Sequence, residues 1–134
     1  MTAIRSYSFL RGALLLDAVA TGATALLAVI AAGPLSGLLG LPSELLRGAG
    51  LVLVPFVLLV AWSGSRQQAP ALAVNAIIAL NAAWVVASLG LLASGAVSPT
   101  LLGYAFVIGQ ALVVGGFAEL QFIGRRKART QPAL

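Results

Sequence analysis

The sequence predicts an all-α membrane protein with four transmembrane helices in an up-down bundle. Apolar residues make up 60% of the 134 positions and charged residues only 8%, which is too few to cover the surface of a soluble domain. No charged residue occurs between Arg66 and Glu119. A bilayer crossing takes about 20 apolar residues, so this stretch alone holds two spans and a turn. Uncharged segments of this length fit helices better than the shorter, alternating strands of a membrane barrel.

We place the first span at residues 8–32, with Ser6 or Ser8 as its cap. A start that contains Arg5 before an apolar run is also typical of a cleaved signal peptide. The apolar run is longer than such peptides usually carry, and Asp17 lies inside it. A retained transmembrane helix is therefore the favoured interpretation.

Helix-breaking residues predict the connection to the second span: Pro34, Gly37, Gly40 and Pro42. We place the second span at residues 43–63, with Ser43 as its N-cap and Glu44 in the first turn, where the helix dipole favours an anion. Pro55 within this span cannot donate a backbone hydrogen bond, so a kink is expected there.

The third span is predicted at residues 70–93, beginning with Pro70, and the fourth at residues 99–123, with Ser98 as its cap and Pro99 in the first position. The tail, residues 124–134, is basic and polar, and we expect it to be mobile. The whole chain is predicted to form one transmembrane domain.

The distribution of basic residues favours an orientation with both termini in the cytoplasm. Seven basic residues then lie on that side: Arg5, Arg11, Arg66, Arg125, Arg126, Lys127 and Arg129. Only Arg47 is left on the far side, where Glu44, three residues earlier, can partly neutralise it. The sequence therefore predicts a multi-pass protein of the cell (inner) membrane.

The composition argues against several kinds of chemistry. The chain has no cysteine and no histidine, so it offers no thiolate ligand, no disulfide and no imidazole acid or base. We predict no catalytic site, no metal site and no cofactor. The formal net charge is +5. Because the bases flank membrane spans, the expected partners are the lipid bilayer and, at the basic tail, anionic lipid headgroups, and not nucleic acid.

Asp17 is the main candidate for function. An acid in a spanning helix costs on the order of 3 kcal/mol on insertion scales, so it is expected to face the bundle interior. Thr21 and Thr24 follow at i+4 and i+7 on the same side of the helix. Two interpretations have similar weight: a proton or cation site, and a structural group, either an interhelical hydrogen bond or a neutral, protonated acid that fixes packing.

Counting residues from the helix ends predicts which groups reach the depth of Asp17. These are Pro55 of span two, Gly115 of span four, and Asn75 and Asn81 of span three, which bracket that depth. A kink at Pro55 beside an acid and two amides is expected to form a small polar cavity.

Three polar residues share one face of span three: Asn81, Trp84 and Ser88. Such a face suits a polar ligand headgroup, but interhelical hydrogen bonding is the favoured interpretation. Gln110 and Gln121 lie together on one side of span four. Glu119 is expected to pair with Arg11, Arg125 or Arg126 near the inner interface and is interpreted as an anchor.

Small residues repeat every four positions on spans three and four, at Ala79, Ala83 and Ala87, at Ala105 and Gly109, and at Ala111 and Gly115. They predict close helix packing and are compatible with a homo-oligomer or a larger membrane partner. A weak internal repeat also relates Asp17 to Asn81 and residues 50–56 to residues 111–117, which suggests two paired helical hairpins.

The segments LLLDAVATGATALL, GPLSGLLGLP and ALNAAWVVAS resemble small four-span bacterial membrane proteins, a likeness that implies a fold and no activity. In size and helix number the chain also looks like the small multidrug resistance transporters, dimers that exchange protons for cationic drugs at an acid in the first span. Asp17 holds the comparable position. That family has a Glu there, and its aromatic motifs in spans two and three have no match in this sequence.

These observations favour a non-catalytic four-helix membrane protein: a bundle subunit, a scaffold, or a binder of lipid or a small ligand. The alternative is a small proton-coupled transporter that works as a dimer with Asp17 as the coupling acid. An enzyme is disfavoured because a site would have to be built from Asp17, Glu119 and amides alone.

Overall fold

The structure is a computed structural model that describes the backbone of residues 2–130 and the side chains of residues 7–128. Its regular structure in that part of the chain is entirely helical: α1 Thr2–Ile30, α2 Ala32–Leu39, α3 Ser43–Ser65, α4 Ala71–Ser94 and α5 Leu101–Thr130. All of these except α2 are long and apolar enough to cross a membrane. The predicted all-α fold with four spanning helices is therefore confirmed.

The bundle is arranged around α1, which packs along both α3 and α5. Helix α4 packs along α5 and contacts α3 only weakly, so one side of the bundle is loosely closed. Glycines allow the closest approach between α1 and α3: a Cβ atom added at Gly50 would lie 2.9 Å from the carbonyl oxygen of Ala25. We call the end that holds residues 2 and 130 the terminal end, and the opposite end the α2 end.

Two apolar clusters fill the interior. The cluster toward the terminal end contains Leu10, Leu14, Val60, Val74 and Ile77 together with Ala18 and Ala69. The cluster at the α2 end is built from Ala32, Leu39, Leu41, Leu46 and Val107. Helix α2 thus contributes apolar side chains that cover this end of the bundle.

The outer surface of the bundle is also apolar. Large side chains such as Ile30, Leu72 and Leu101 are more than 70% exposed. In water a continuous surface of this kind would drive aggregation, whereas hydrocarbon solvates it without cost. Together with the four long apolar helices, this surface identifies the chain as a multi-pass membrane protein.

The first helix and its connection differ from the prediction. Helix α1 begins at Thr2, so Ser6 and Ser8 lie inside it and neither is its cap. The stretch predicted as a break forms α2, in which Pro34 lies in the first turn, where a missing N–H is tolerated. This helix ends at Gly40, whose φ of 70° is readily adopted only by glycine. Its amide donates a hydrogen bond to the Ser36 carbonyl.

Among the other helix ends, the start of α3 agrees with the prediction and the rest shift by one to seven residues. Helix α3 starts with Ser43 as its first residue after the cap Pro42, and Pro70 is the cap of α4. Thr100, and not Ser98, caps α5: its hydroxyl accepts a hydrogen bond from the amide of Gly103 at 3.1 Å. Helix α5 then runs to Thr130, so residues 124–130 are helical where the sequence placed the tail, while residues 131–134 lie outside the described part. Arg, Lys and Ala favour helices, which accounts for the extension.

Candidate functional site

Helix α1 supplies an acid and a hydroxyl to the bundle interior. Asp17 is completely buried, which confirms the prediction that it faces inward. Thr21 follows one turn later on the same face, and its hydroxyl donates a 2.7 Å hydrogen bond to Oδ1 of Asp17. One carboxylate oxygen is thereby satisfied within the helix.

Two amides from other helices satisfy the second carboxylate oxygen. Asn81 Nδ2 on α4 donates to Asp17 Oδ2 at 3.0 Å, and Gln121 Nε2 on α5 donates to the same oxygen at 2.7 Å. Asn81 Nδ2 also donates to Gln121 Oε1 at 3.0 Å. We call these four residues, Asp17, Thr21, Asn81 and Gln121, the Asp17 cluster. It connects α1, α4 and α5.

The chemistry of the Asp17 cluster is that of hydrogen bonding. Asp17 accepts from three donors, which offsets the cost of removing a carboxylate from water. Asn and Gln amides donate and accept hydrogen bonds but do not take up or release protons near neutral pH, so Asp17 is the only acid–base group in the cluster. Interhelical hydrogen bonds in membranes contribute about 0.6–2 kcal/mol each.

Three residues expected near Asp17 lie elsewhere. Pro55 and Asn75 are exposed on the outside of the bundle, and Gly115 faces Val85 of α4. The expected polar cavity between Asp17 and Pro55 is therefore wrong. Helix α3 passes through Pro55 without interruption, and the kink remains a prediction.

A second polar group joins α4 and α5 closer to the α2 end. Trp84 Nε1 donates to Gln110 Oε1 at 2.9 Å, and Gln110 Nε2 donates to Ser88 Oγ at 3.0 Å. Ser88 Oγ in turn donates to the Trp84 carbonyl at 2.7 Å. We call Trp84, Ser88 and Gln110 the Gln110 cluster. Its side chains are half-buried and make the interhelical bonds that were the favoured interpretation, while a role in ligand binding remains a prediction.

Sequence reasoning did not select Gln121 as a site residue. Span four was predicted to end at residue 123, and counting depth from that end placed Gly115 beside Asp17. Because α5 continues to Thr130, the depth of Asp17 falls at Gln121 instead. One feature of the sequence could have identified Gln121: it shares a side of the helix with Gln110. Ser63 was also missed: it is fully buried, and its Oγ has no hydrogen-bond partner among the described residues.

Glu44 and Glu119 form no ion pair with another described residue, contrary to what was expected of them. Both acids are exposed. Arg11 donates from Nε to the carbonyl of Gly64 at 3.1 Å. Cations at the terminal end lie over aromatic rings, with Arg66 over Trp62, Arg125 and Arg126 over Phe122, and Lys127 over Phe9.

Among the residues that the structure describes, no three His, Cys, Asp or Glu side chains gather as metal ligands would. Comparison of the chain with protein-family models, with curated proteins and with solved structures found no match. The class that fold and surface define is therefore a multi-pass, all-helical membrane protein with a buried acid–amide cluster.

Proposed function

We propose that this protein is a non-catalytic four-helix membrane subunit in which Asp17 has a structural role. The observation that carries this proposal is the enclosure of the Asp17 carboxylate, which is 0% exposed and accepts hydrogen bonds from three side chains. The cluster joins α1, which packs along α3, to α4 and α5. A group that stabilises the bundle is expected to connect helices in this way.

A coupling acid has different requirements. It must be reached in turn from each side of the membrane, and groups that relay protons usually connect it to water. The neighbours of Asp17 are one hydroxyl and two amides, and the amides do not relay protons as acids or bases. This environment supports the structural role over proton coupling.

We also propose where the protein lies and what it contacts. We place both termini in the cytoplasm and the bundle in the inner membrane, with anionic lipid headgroups at the terminal end. Paired cations and aromatic rings at that end support this placement, because both are enriched where a protein meets headgroups. Nucleic acid is not a proposed partner. A second copy or a larger membrane partner is expected beside α4, the spanning helix least buried by the bundle.

The alternative is a proton-coupled transporter that works as a dimer. Both polar clusters lie along the contact between α4 and α5, which we call the α4–α5 seam, and this alignment favours the transporter. Asn81 and Ser88 are separated by seven residues of α4, or about 10 Å along the membrane normal. A seam of this kind would place polar groups across about a third of the hydrocarbon core.

A flux experiment separates the two functions. The protein would be reconstituted in liposomes that contain a pH-sensitive dye, and a gradient of tetraphenylphosphonium would be imposed as a cationic probe. The structural role predicts that the protein and its Asp17→Asn variant give the proton flux of protein-free liposomes. Proton flux driven by the probe in the parent protein, abolished in Asp17→Asn and kept in the control Asn75→Leu, would establish the transporter and overturn the proposal.

A further inference from the structure

A groove between α1 and α3 opens toward the membrane. Its volume is about 240 Å³, and apolar residues line it, among them Gly22, Leu26 and Val29 of α1 and Leu51, Val54 and Leu58 of α3. The absence of a side chain at Gly22 gives the groove its depth: a Cβ atom there would lie 3.6 Å from Val57 Cγ1, and any larger side chain would extend into the space.

Arg47 stands in line with this groove. At about 100° per residue, Arg47 lies between Val54 and Leu58 around the axis of α3, and it is one turn, or about 6 Å, beyond Leu51 toward the α2 end. Arg47 is exposed, and no hydrogen bond or ion pair joins it to another described residue. Glu44 is turned about 60° from Arg47 in the direction away from α1, so it does not cover the guanidinium.

We propose that the groove and Arg47 bind one anionic phospholipid of the leaflet at the α2 end, with an acyl chain in the groove and the phosphate on the guanidinium. A hydrocarbon chain suits walls that carry no charge, and a guanidinium binds phosphate oxygens in a two-pronged geometry. The spacing of about 6 Å between Leu51 and Arg47 leaves room for the glycerol ester region. This site shares no residue with the Asp17 cluster and does not depend on the role of Asp17.

Native mass spectrometry tests the proposal, with the full chain purified in detergent and given equal amounts of phosphatidylglycerol and phosphatidylcholine. The parent protein is expected to retain one lipid, with phosphatidylglycerol preferred. Arg47→Gln should keep a bound lipid but lower the preference about five-fold, the factor expected for one basic residue near an anionic surface. Glu44→Gln, an exposed substitution at the same end of the bundle that removes no positive charge, is the control and should not lower the preference.

A second pair of variants tests the groove itself. Gly22→Leu should fill the groove and abolish retention of both lipids. Gly12→Leu makes the same change at an exposed position of α1 with no atom within 4 Å, and should keep the lipid. Equal phosphatidylglycerol preference in Arg47→Gln and the parent protein, or equal retention in the two glycine variants, would overturn the proposal. A protein dimer that dissociates on the Gly22→Leu substitution would also overturn the proposal, because a second copy would then occupy the groove. Arg47 is exposed, so its variant tests the proposal even if Gly22→Leu fails to fold.

Discussion

The side chain of Asn81 donates a 3.0 Å hydrogen bond to the carboxylate of Asp17 across a bundle in which the backbones of α1 and α4 do not approach each other closely. Helix α5 packs on both and adds Gln121 to the same carboxylate oxygen. The hydrogen bonds therefore add a direct polar link between α1 and α4 to the apolar cluster that both helices share.

Replacement of Asp17 should separate the effect of shape from that of hydrogen bonding. Asp17→Asn can turn its carbonyl oxygen toward the two amides and its NH₂ toward the Thr21 hydroxyl, so the free energy of unfolding should change by less than about 1 kcal/mol. Asp17→Leu removes the acceptor of Gln121 Nε2 and one of the two acceptors of Asn81 Nδ2, at about 1–3 kcal/mol for each buried N–H left unpaired. Unfolding in mixed micelles, followed by circular dichroism, measures both. A leucine variant as stable as the parent protein would contradict the structural role.

Asn81 and Gln121 should be energetically coupled. They bond each other and share an acceptor, so a double-mutant cycle with Asn81→Leu and Gln121→Leu should give a coupling free energy of about 0.5–3 kcal/mol. The control cycle combines Asn81→Leu with Gln110→Leu, two residues that share no hydrogen-bond partner. Its effects should add to within about 0.5 kcal/mol. Equal coupling in the two cycles would mean that the cluster does not act as a unit.

Alanine substitution at two glycines of α3 should change the free energy of unfolding in opposite directions. A Cβ atom at Gly50 would lie 2.9 Å from a backbone oxygen of α1, so Gly50→Ala must push the helices apart and should cost about 1–3 kcal/mol. Gly48→Ala meets no atom within 4 Å and should gain up to about 1 kcal/mol from helix propensity. Thermal unfolding in detergent compares them. The close α1–α3 packing would be refuted by a Gly50 variant as stable as its Gly48 counterpart.

Ser63→Ala should stabilise the protein. The Ser63 hydroxyl is fully buried without a hydrogen-bond partner in the described part, so its removal should raise the free energy of unfolding by about 1 kcal/mol. Ser65→Ala is the control, because Ser65 is exposed and should have little effect. A loss of stability in the Ser63 variant would show that its hydroxyl has a partner such as a buried water.

The sequence predicted the number and order of the spans because charge and hydropathy report directly on solvation by lipid. It also predicted that Asp17 faces inward, since a charged group has only one favourable side in a membrane helix. It did not reveal α2: Pro34 and Gly37 indicate a break, whereas packing of Leu39 at the end of the bundle stabilises a helix. It also did not reveal Gln121, because a depth counted from a predicted helix end is wrong by as many residues as the end itself.

One geometric observation bears on the proposed internal repeat. Its corresponding residues, Asp17 and Asn81, contact each other, as residues near a pseudo-two-fold axis would. The packing does not follow such an axis closely, because α1 packs along α5 whereas its counterpart α4 contacts α3 only weakly. The relation between the two halves remains a prediction.

The separation of Asp17 from its partners along the chain has a consequence for biosynthesis. Gln121 follows Asp17 by 104 positions, so a ribosome that adds about 5–20 residues per second needs about 5–20 s to produce it. Until Asn81 follows, 64 positions after Asp17, the nascent first helix carries a carboxyl group whose only partner from the finished cluster is its own Thr21. Stable insertion of the first helix therefore depends on the environment that holds this acid until α4 and α5 supply their amides.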